Sequence, residues 1–316
     1  MMISWVIGSG GLLGTALCRA LHRKGDELFV PDKRLCWGDD QALADQVATT
    51  VDKFASRVQA VDQWQLYWAA GVGTMSSSAQ ALEPEARALT QVLKSIESHP
   101  QIMAKPGAIA FASSAGAIYA ESSDEVITER SQPTPTTAYA RAKLLQEELL
   151  ASFVKRNRCA SALIARISTL YGPGQASAKK QGLLTHMARC ILRNQPIQIY
   201  VPFDTIRDYI AADDAAEAMI RALARIGEPQ QTVIRIVASE RPTTIAEIVS
   251  IFKRIARRGP RIVTSASRLS GLYTRRVQFR SMATQASPSP PAMSLAVGIA
   301  QLMLQERVNL ARGGSQ

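Results

Sequence analysis

Tyr139 and Lys143 stand four residues apart, as Tyr-Ala-Arg-Ala-Lys, at the start of a stretch whose pattern predicts a helix over Thr137–Lys155. An i, i+4 separation puts both side chains on one helical face. A free phenol titrates near pH ~10 and is a poor base at neutral pH. A lysine ammonium beside it, joined by any positive charge that a ligand brings, favours phenolate and turns the tyrosine into a proton-transfer group. A serine pair, Ser113–Ser114, ends the apolar run that precedes this helix. Alone, the Tyr/Lys spacing is common in helices, so its weight depends on what else the chain positions nearby.

A second constellation opens the chain. The apolar run Ile3–Ile7 leads directly into Gly8–Ser9–Gly10–Gly11–Leu12–Leu13–Gly14, and a helical pattern follows. The spacing is GxxGxxG, because Leu13 stands where a GxGxxG pattern would need glycine. Gly8 permits the tight turn, Gly11 lets backbone approach a pyrophosphate, and Gly14 lets helix pack against strand. The backbone around Leu12 and Leu13 then offers helix N-terminal N–H groups and partial positive charge to an anion. The companion feature of a dinucleotide site is an acid at the end of the second strand, about 20 residues on, for the adenosine ribose. Asp32 follows Leu28–Phe29–Val30–Pro31 and fits that place. A carboxylate there favours NAD, whereas its neighbours Lys33 and Arg34 suit the 2′-phosphate of NADP, so NADP is not excluded.

These residues need a scaffold. Strand-like runs occur at Ile3–Ile7, Leu28–Val30, Leu66–Ala70, Ala108–Ala112 and Ala162–Ile167, alternating with helical patterns at Gly11–Arg23, Gln41–Arg57, Glu83–Glu97 and Thr137–Lys155. Such alternation predicts right-handed βαβ units: an α/β, doubly wound parallel sheet of the Rossmann type. After Gly172–Pro173–Gly174 the pattern loosens, through a Pro-rich turn at Pro288–Pro291, to a terminal Gly313–Gly314–Ser315–Gln316. The expected division is a dinucleotide-binding domain over 1–171 and a smaller mixed α/β substrate lobe over 172–316. Some segments of the second part are expected to return to the sheet.

Composition bounds the class. The 316 residues are 47% hydrophobic and 20% charged, which excludes disordered and fibrous classes. The apolar start lacks a basic flank, and the late run Ala292–Leu304 is interrupted by Ser294, Gly298 and Gln301, so neither a signal peptide nor a membrane span is expected. Cys18, Cys36, Cys159 and Cys190 are scattered, as are His22, His99 and His186. Reduced thiols in a cytoplasmic protein without a metal site are the expectation. The net charge of +11 comes partly from the clusters Arg254/Arg257/Arg258/Arg261 and Arg268/Arg275/Arg276/Arg280. That field favours anionic partners. No zinc-finger, RNP or helix-turn-helix pattern accompanies it, so nucleic acid is not expected.

Taken together, Gly8/Gly11/Gly14, Ser113–Ser114–Ala115–Gly116–Ala117–Ile118–Tyr119, Tyr139/Lys143 and Arg166…Tyr171–Gly172–Pro173–Gly174 resemble the extended short-chain dehydrogenase/reductase family. More narrowly they resemble its NAD-dependent epimerase/dehydratase branch, which acts on nucleotide sugars. Arg207–Asp208–Tyr209–Ile210 with Asp213–Asp214–Ala215–Ala216–Glu217–Ala218 is similar to that branch's "RDxIxxxDxAxA" stretch, whose arginine commonly contacts the nucleotide diphosphate. The likeness is close over about residues 3–225 and loose beyond.

The resemblance implies roles. Tyr139, Lys143 and Ser114 become the catalytic residues, with Ser113 the other available hydroxyl because Ala115 stands where many members carry one, and Ser113, Tyr139 and Lys143 also become contacts of the cofactor. The family's "HLAA" element appears as Tyr67–Trp68–Ala69–Ala70, which places Ala69 and Ala70 beside the cofactor. Thr169 stands where members often have Asn and becomes a substrate contact, as does Arg207. Arg275 and Arg280 are further candidates for the diphosphate. Sugar 4,6-dehydratases carry an Asp–Glu pair just after the catalytic hydroxyl, where this chain has Ala115–Gly116, and neither residue can move a proton. The expected activity is therefore NAD-dependent epimerisation of a nucleotide-diphosphate sugar through a keto-sugar. A ketoreductase or dehydrogenase acting on a sugar or related carbonyl is the alternative. A homodimer built on the Glu83–Glu97 and Tyr139 helices is implied by the same resemblance.

Overall fold

The computed structural model describes residues 1–174, 182–257, 259–264, 276–282 and 292–313. The chain begins β1 (Met2–Ile7), α1 (Leu12–Lys24), β2 (Glu27–Phe29), α2 (Asp40–Val58), β3 (Gln63–Trp68), α3 (Ala79–Glu97) and α4 (Pro100–Met103). It continues through β4 (Gly107–Ser114), α5 (Ala115–Ile118), α6 (Ala138–Arg156), β5 (Ala160–Ile167) and β6 (Thr169–Tyr171). The rest comprises α7 (Leu183–Leu192), β7 (Ile197–Ile199), β8 (Ile206–Ala211), α8 (Ala212–Ala224), β9 (Thr232–Val237), β10 (Pro242–Thr244), α9 (Ile245–Ala256), β11 (Ile262–Thr264) and α10 (Leu295–Gly313).

Six strands form a parallel sheet in the order β2-β1-β3-β4-β5-β9. Its strands alternate their apolar residues between two faces, as the period of two requires. Ile3, Trp5, Trp64, Trp68, Phe111 and Ile164 join one core with α2, α3 and α6. Val6, Tyr67, Ala110, Leu163 and Ala165 join the other with α1 and α8. Helices cover both faces, so this is the doubly wound α/β fold that the alternation predicts. The strand order reverses between β1 and β3, and a crevice opens at the carboxyl ends of such a pair.

The second half of the chain contributes to the large sheet and forms two smaller ones. β9 pairs with β5 at the sheet edge, and α8 packs on α1. The three-stranded sheet β10-β8-β6 and the pair β11-β7 lie apart from the large sheet. Their core gathers Tyr171, Met187, Ile197, Ile245, Phe252 and Ile299 from β6, α7, β7, α9 and α10. Among the described residues, no helix is long and apolar enough to cross a membrane, and no cluster of His, Cys, Asp and Glu could hold a metal ion. The sequence pattern extends the third strand to Ala70, whereas β3 stops at Trp68. Ala69 still donates its N–H to Ile7 O, and the chain then turns along the crevice. Pro288–Pro291 and Gly314–Gln316 lie outside the described residues, as do Arg258, Arg268 and Arg275.

Candidate active site

The glycine turn joins β1 to α1 through close backbone contacts. Gly8 has φ +90°, and a Cβ there would sit 2.6 Å from Ala70 N. A Cβ on Gly14 would sit 2.0 Å from Gly8 O, so the helix reaches the strand only because both are glycines. Gly11 caps α1 with extended backbone and no side-chain acceptor, and its carbonyl takes the first helical hydrogen bond, from Thr15 N, at 2.9 Å. The first-turn N–H groups therefore have no intrahelical partner and face outward as anion donors.

A cleft of about 650 Å³ opens over this turn, within the roughly 300–1,000 Å³ range of ligand pockets. Gly8, Gly11, Leu12, Leu13, Ala69 and Ala70 line one end, and Ser113, Tyr139, Lys143 and Thr169 line the other. The cradle fits a dinucleotide: a Cβ at Gly8 would collide with the far wall, and one at Gly11 would approach Gly8 O to 3.3 Å, narrowing the floor where phosphates would lie.

At the reactive end, Thr137 caps α6 by accepting from Ala140 N at 3.1 Å, which sets Tyr139 in the helix's first turn. Lys143, one turn on, is buried, with its Nζ 5.8 Å from the Tyr139 ring centroid and 5.0 Å from that of Phe111. Ser114, the last residue of β4, sits close enough to Tyr139 for its hydroxyl to favour the phenolate, although it is not among the cleft's lining residues. Ser113 instead donates to Glu147 Oε1 at 2.5 Å. Burial pushes the Tyr139 phenol up to about 12, with the Glu85 carboxylate adding to the rise and the Ser114 hydroxyl opposing it. Burial pushes the Lys143 ammonium down, against the pull of Glu85 and Glu147. In the chain alone the balance thus runs opposite to the expectation drawn from Lys143. Desolvation of the phenol, reinforced by a carboxylate absent from the sequence reading, outweighs the ammonium.

Three expected residues lie elsewhere. Asp32 is exposed on the loop after β2 and ion-paired with Lys53, which holds its carboxyl below the usual range. It does not line the cleft, whereas Lys33 and Arg34 do. The Arg34 guanidinium lies against the glycine turn, where a Cβ on Gly10 would meet Nη2 at 2.9 Å. Arg207 lies on β8 in register with Thr243, is not among the cleft's lining residues, and donates from Nη1 to Ile206 O at 2.7 Å. Arg280 is exposed and ties the chain to Ile127 through its backbone N–H.

Two carboxylates escaped the sequence reading. Glu147 sits on α6 one turn after Lys143 and holds Arg166 with two hydrogen bonds, at 2.7 and 3.1 Å. Glu85 is buried on α3 and lines the cleft. Its signal was available, since Leu82, Glu85, Ala88, Leu89 and Val92 follow the i, i+3, i+4 rhythm of an inward face.

Comparison with known proteins agrees with this geometry. The model of the NAD dependent epimerase/dehydratase family matches residues 5–236. A dTDP-L-rhamnose 4-epimerase from Burkholderia thailandensis is 28% identical over 124 residues, 39% of this chain and 33% of that protein. The chain's matches span less than half the length of such curated relatives. Among solved structures, the Thermus thermophilus UDP-glucose 4-epimerase complex with NAD has a TM-score of 0.79 at 20% identity, covering 97% of this chain and 99% of that one. RMD from Pseudomonas aeruginosa complexed with NADPH has a TM-score of 0.78 at 20% identity, covering 98% and 100%. At these identities the structural likeness speaks for the fold.

Proposed function

Because the chain belongs to the NAD dependent epimerase/dehydratase family, we propose that it inverts a hydroxyl-bearing carbon of a nucleotide-diphosphate sugar. NAD is the family's cofactor, and the Gly8–Gly14 turn with Ala69 and Ala70 would hold it. The observation that carries the reading is the convergence, in one cleft with that turn, of the Tyr139 phenol and the Lys143 ammonium.

When bound, the cofactor supplies a hydride acceptor and donor. The chain's own groups move the proton. Tyr139 takes it from the sugar hydroxyl and returns it, Ser114 holds the sugar oxygen, and Lys143 supplies positive charge beside the phenol. Ser113 borders the cleft but its hydroxyl is engaged with Glu147, which leaves Ser114 as the hydroxyl assigned to the sugar oxygen in this reading. Thr169 borders the same cleft and contacts the sugar in this reading. Arg207 serves the diphosphate only by turning from Ile206 O. Arg275, the other arginine considered for it, lies outside the described residues. A homodimer in the cytoplasm completes the proposal, and sedimentation at only the monomer mass would remove the dimer.

A second reading is favoured by one observation: Lys33 and Arg34, not Asp32, line the cleft. Those charges suit a 2′-phosphate, and hence a reductase that consumes NADPH. The two readings separate in one experiment. A sugar nucleotide deuterated at the inverted carbon is incubated with the protein, and product is followed by NMR. An epimerase returns the label to the same carbon without net cofactor consumption. A reductase leaves the deuterated alcohol uninverted, and it oxidises NADPH in step with product only when the corresponding keto-sugar nucleotide is supplied in a parallel incubation.

A further inference from the structure

Glu85 links the connection after β3 to the reactive pair through different oxygens. Oε1 accepts from Val72 N at 2.6 Å and from Gly73 N at 2.7 Å. Oε2 faces Lys143 Nζ at 3.9 Å, with both side chains buried. The loop has no room for an alternative arrangement: a Cβ on Gly73 would meet Leu82 Cδ2 at 2.3 Å and Tyr139 Cδ2 at 3.2 Å. A Cβ on Gly71, whose φ is +155°, would lie 3.2 Å from Glu85 Oε2. Glycines thus let the 71–73 backbone lie between the carboxylate and the tyrosine ring.

We propose that Glu85 is a positioning residue for the Tyr139–Lys143 pair, anchoring the 71–73 loop with one oxygen while its charge offsets the Lys143 ammonium with the other. The inference rests on Tyr139 being the proton-transfer group of the proposed reaction. Among the described residues, the groups acting on Tyr139 are Glu85 from α3, Lys143 from its own helix and Ser114 from the end of β4. Glu147 acts on Lys143 from one turn further along α6, but its carboxylate is already engaged by Arg166 and Ser113. Glu85 is therefore the negative charge not already held by a bidentate arginine. A carboxylate beside a phenol disfavours the phenolate and keeps the proton on oxygen. In the cofactor-free protein this holds Tyr139 as an acid. A positively charged ligand ring entering beside the carboxylate would offset it, so proton release becomes coupled to cofactor occupancy.

Glu85→Gln separates the two tasks, because the amide oxygen can still accept from Val72 and Gly73 while the charge toward Lys143 is gone. The test is an ultraviolet difference titration of the cofactor-free protein from about pH 7 to 10.5, each form measured against its Tyr139→Phe counterpart. The expected result is almost no Tyr139 phenolate in the wild type and a clear rise in Glu85→Gln, with the titration moved down by about one pH unit and NAD⁺ affinity retained. Identical titrations would overturn the inference. Glu85→Asp serves where Gln does not fold: its shorter arm cannot span loop and lysine, so NAD⁺ binding weakens while Tyr139 stays protonated. Wild-type NAD⁺ affinity in Glu85→Asp would contradict the anchoring role. Neither readout needs a sugar substrate, so a wrong substrate class leaves both outcomes legible.

Discussion

The Ser113 hydroxyl lies 2.5 Å from Glu147 Oε1, and both side chains are buried. The same carboxylate takes Arg166 Nη2 and Nε, and Arg166 Nη1 reaches the Tyr119 hydroxyl. These contacts tie β4, α6, β5 and the segment after α5 together directly behind the reactive pair. They also assign the adjacent serines different tasks. Ser114→Ala should lower kcat by roughly 10²–10³-fold, the usual loss for one donor to a reacting oxygen. Ser113→Ala should change it by less than about tenfold while lowering the unfolding midpoint. Steady-state kinetics beside urea unfolding compares the two, and a reversed ranking would exchange their roles.

Removing one partner of the Glu147–Arg166 pair strands a buried charge. Glu147→Ala should destabilise the fold by about 3–5 kcal/mol, whereas surface pairs such as Arg87–Glu83 should matter little. Their side chains differ accordingly, at 5% and 6% exposed for Arg166 and Glu147 against 47% and 63% for Arg87 and Glu83. Urea denaturation of the two alanine variants, Glu147→Ala and Glu83→Ala, measures the contrast.

Alkaline pH should unfold the protein through its buried phenols. Burial lifts Tyr139, Tyr171 and Tyr209 each to about 12, and raises Tyr67 further. An unfolded tyrosine loses its proton near pH ~10. Above that point the folded chain binds more protons than the unfolded one, so stability is full below it and falls as pH climbs toward the folded values. Urea midpoints at about pH 8, 10 and 11 should decline steeply only over the last interval. A flat profile would mean that these phenols reach solvent.

The glycine turn and the acid after β2 should respond oppositely to mutation. Gly14→Ala drives a methyl into Gly8 O and should cost about 1–3 kcal/mol, with loss of NAD⁺ binding. Asp32→Ala touches an exposed ion pair and should leave NAD⁺ affinity within about twofold, in keeping with a surface substitution. Calorimetric titration with NAD⁺ and NADP⁺ tests both, and Arg34→Ala in the same series should weaken NADP⁺ more than NAD⁺.

The sheet was legible because β1, β3, β4 and β5 are nearly continuous apolar runs, as strands covered on both faces must be. The glycine turn and the Tyr139/Lys143 pair were legible because their spacing is itself the geometry. Asp32 was placed by counting along the chain, and counting cannot see that it lies exposed and ion-paired with Lys53 on α2. Glu147 depends on partners across β4 and β5, which no local pattern records, whereas Glu85 stands on the inward face of α3 that the helical rhythm marks. β9 is an ordinary apolar run, and only its register with β5 places it in the large sheet.

The central claim is tested most directly by incubating the purified protein with UDP-, GDP- and dTDP-sugars and NAD⁺, reading proton NMR and absorbance at 340 nm together. The expected result is one sugar nucleotide inverted at a single carbon, with no net 340 nm change. Tyr139→Phe should then be slower by roughly 10²–10⁴-fold yet still bind NAD⁺. A steady rise at 340 nm with no inverted sugar would contradict epimerisation and establish net oxidation of the sugar in its place.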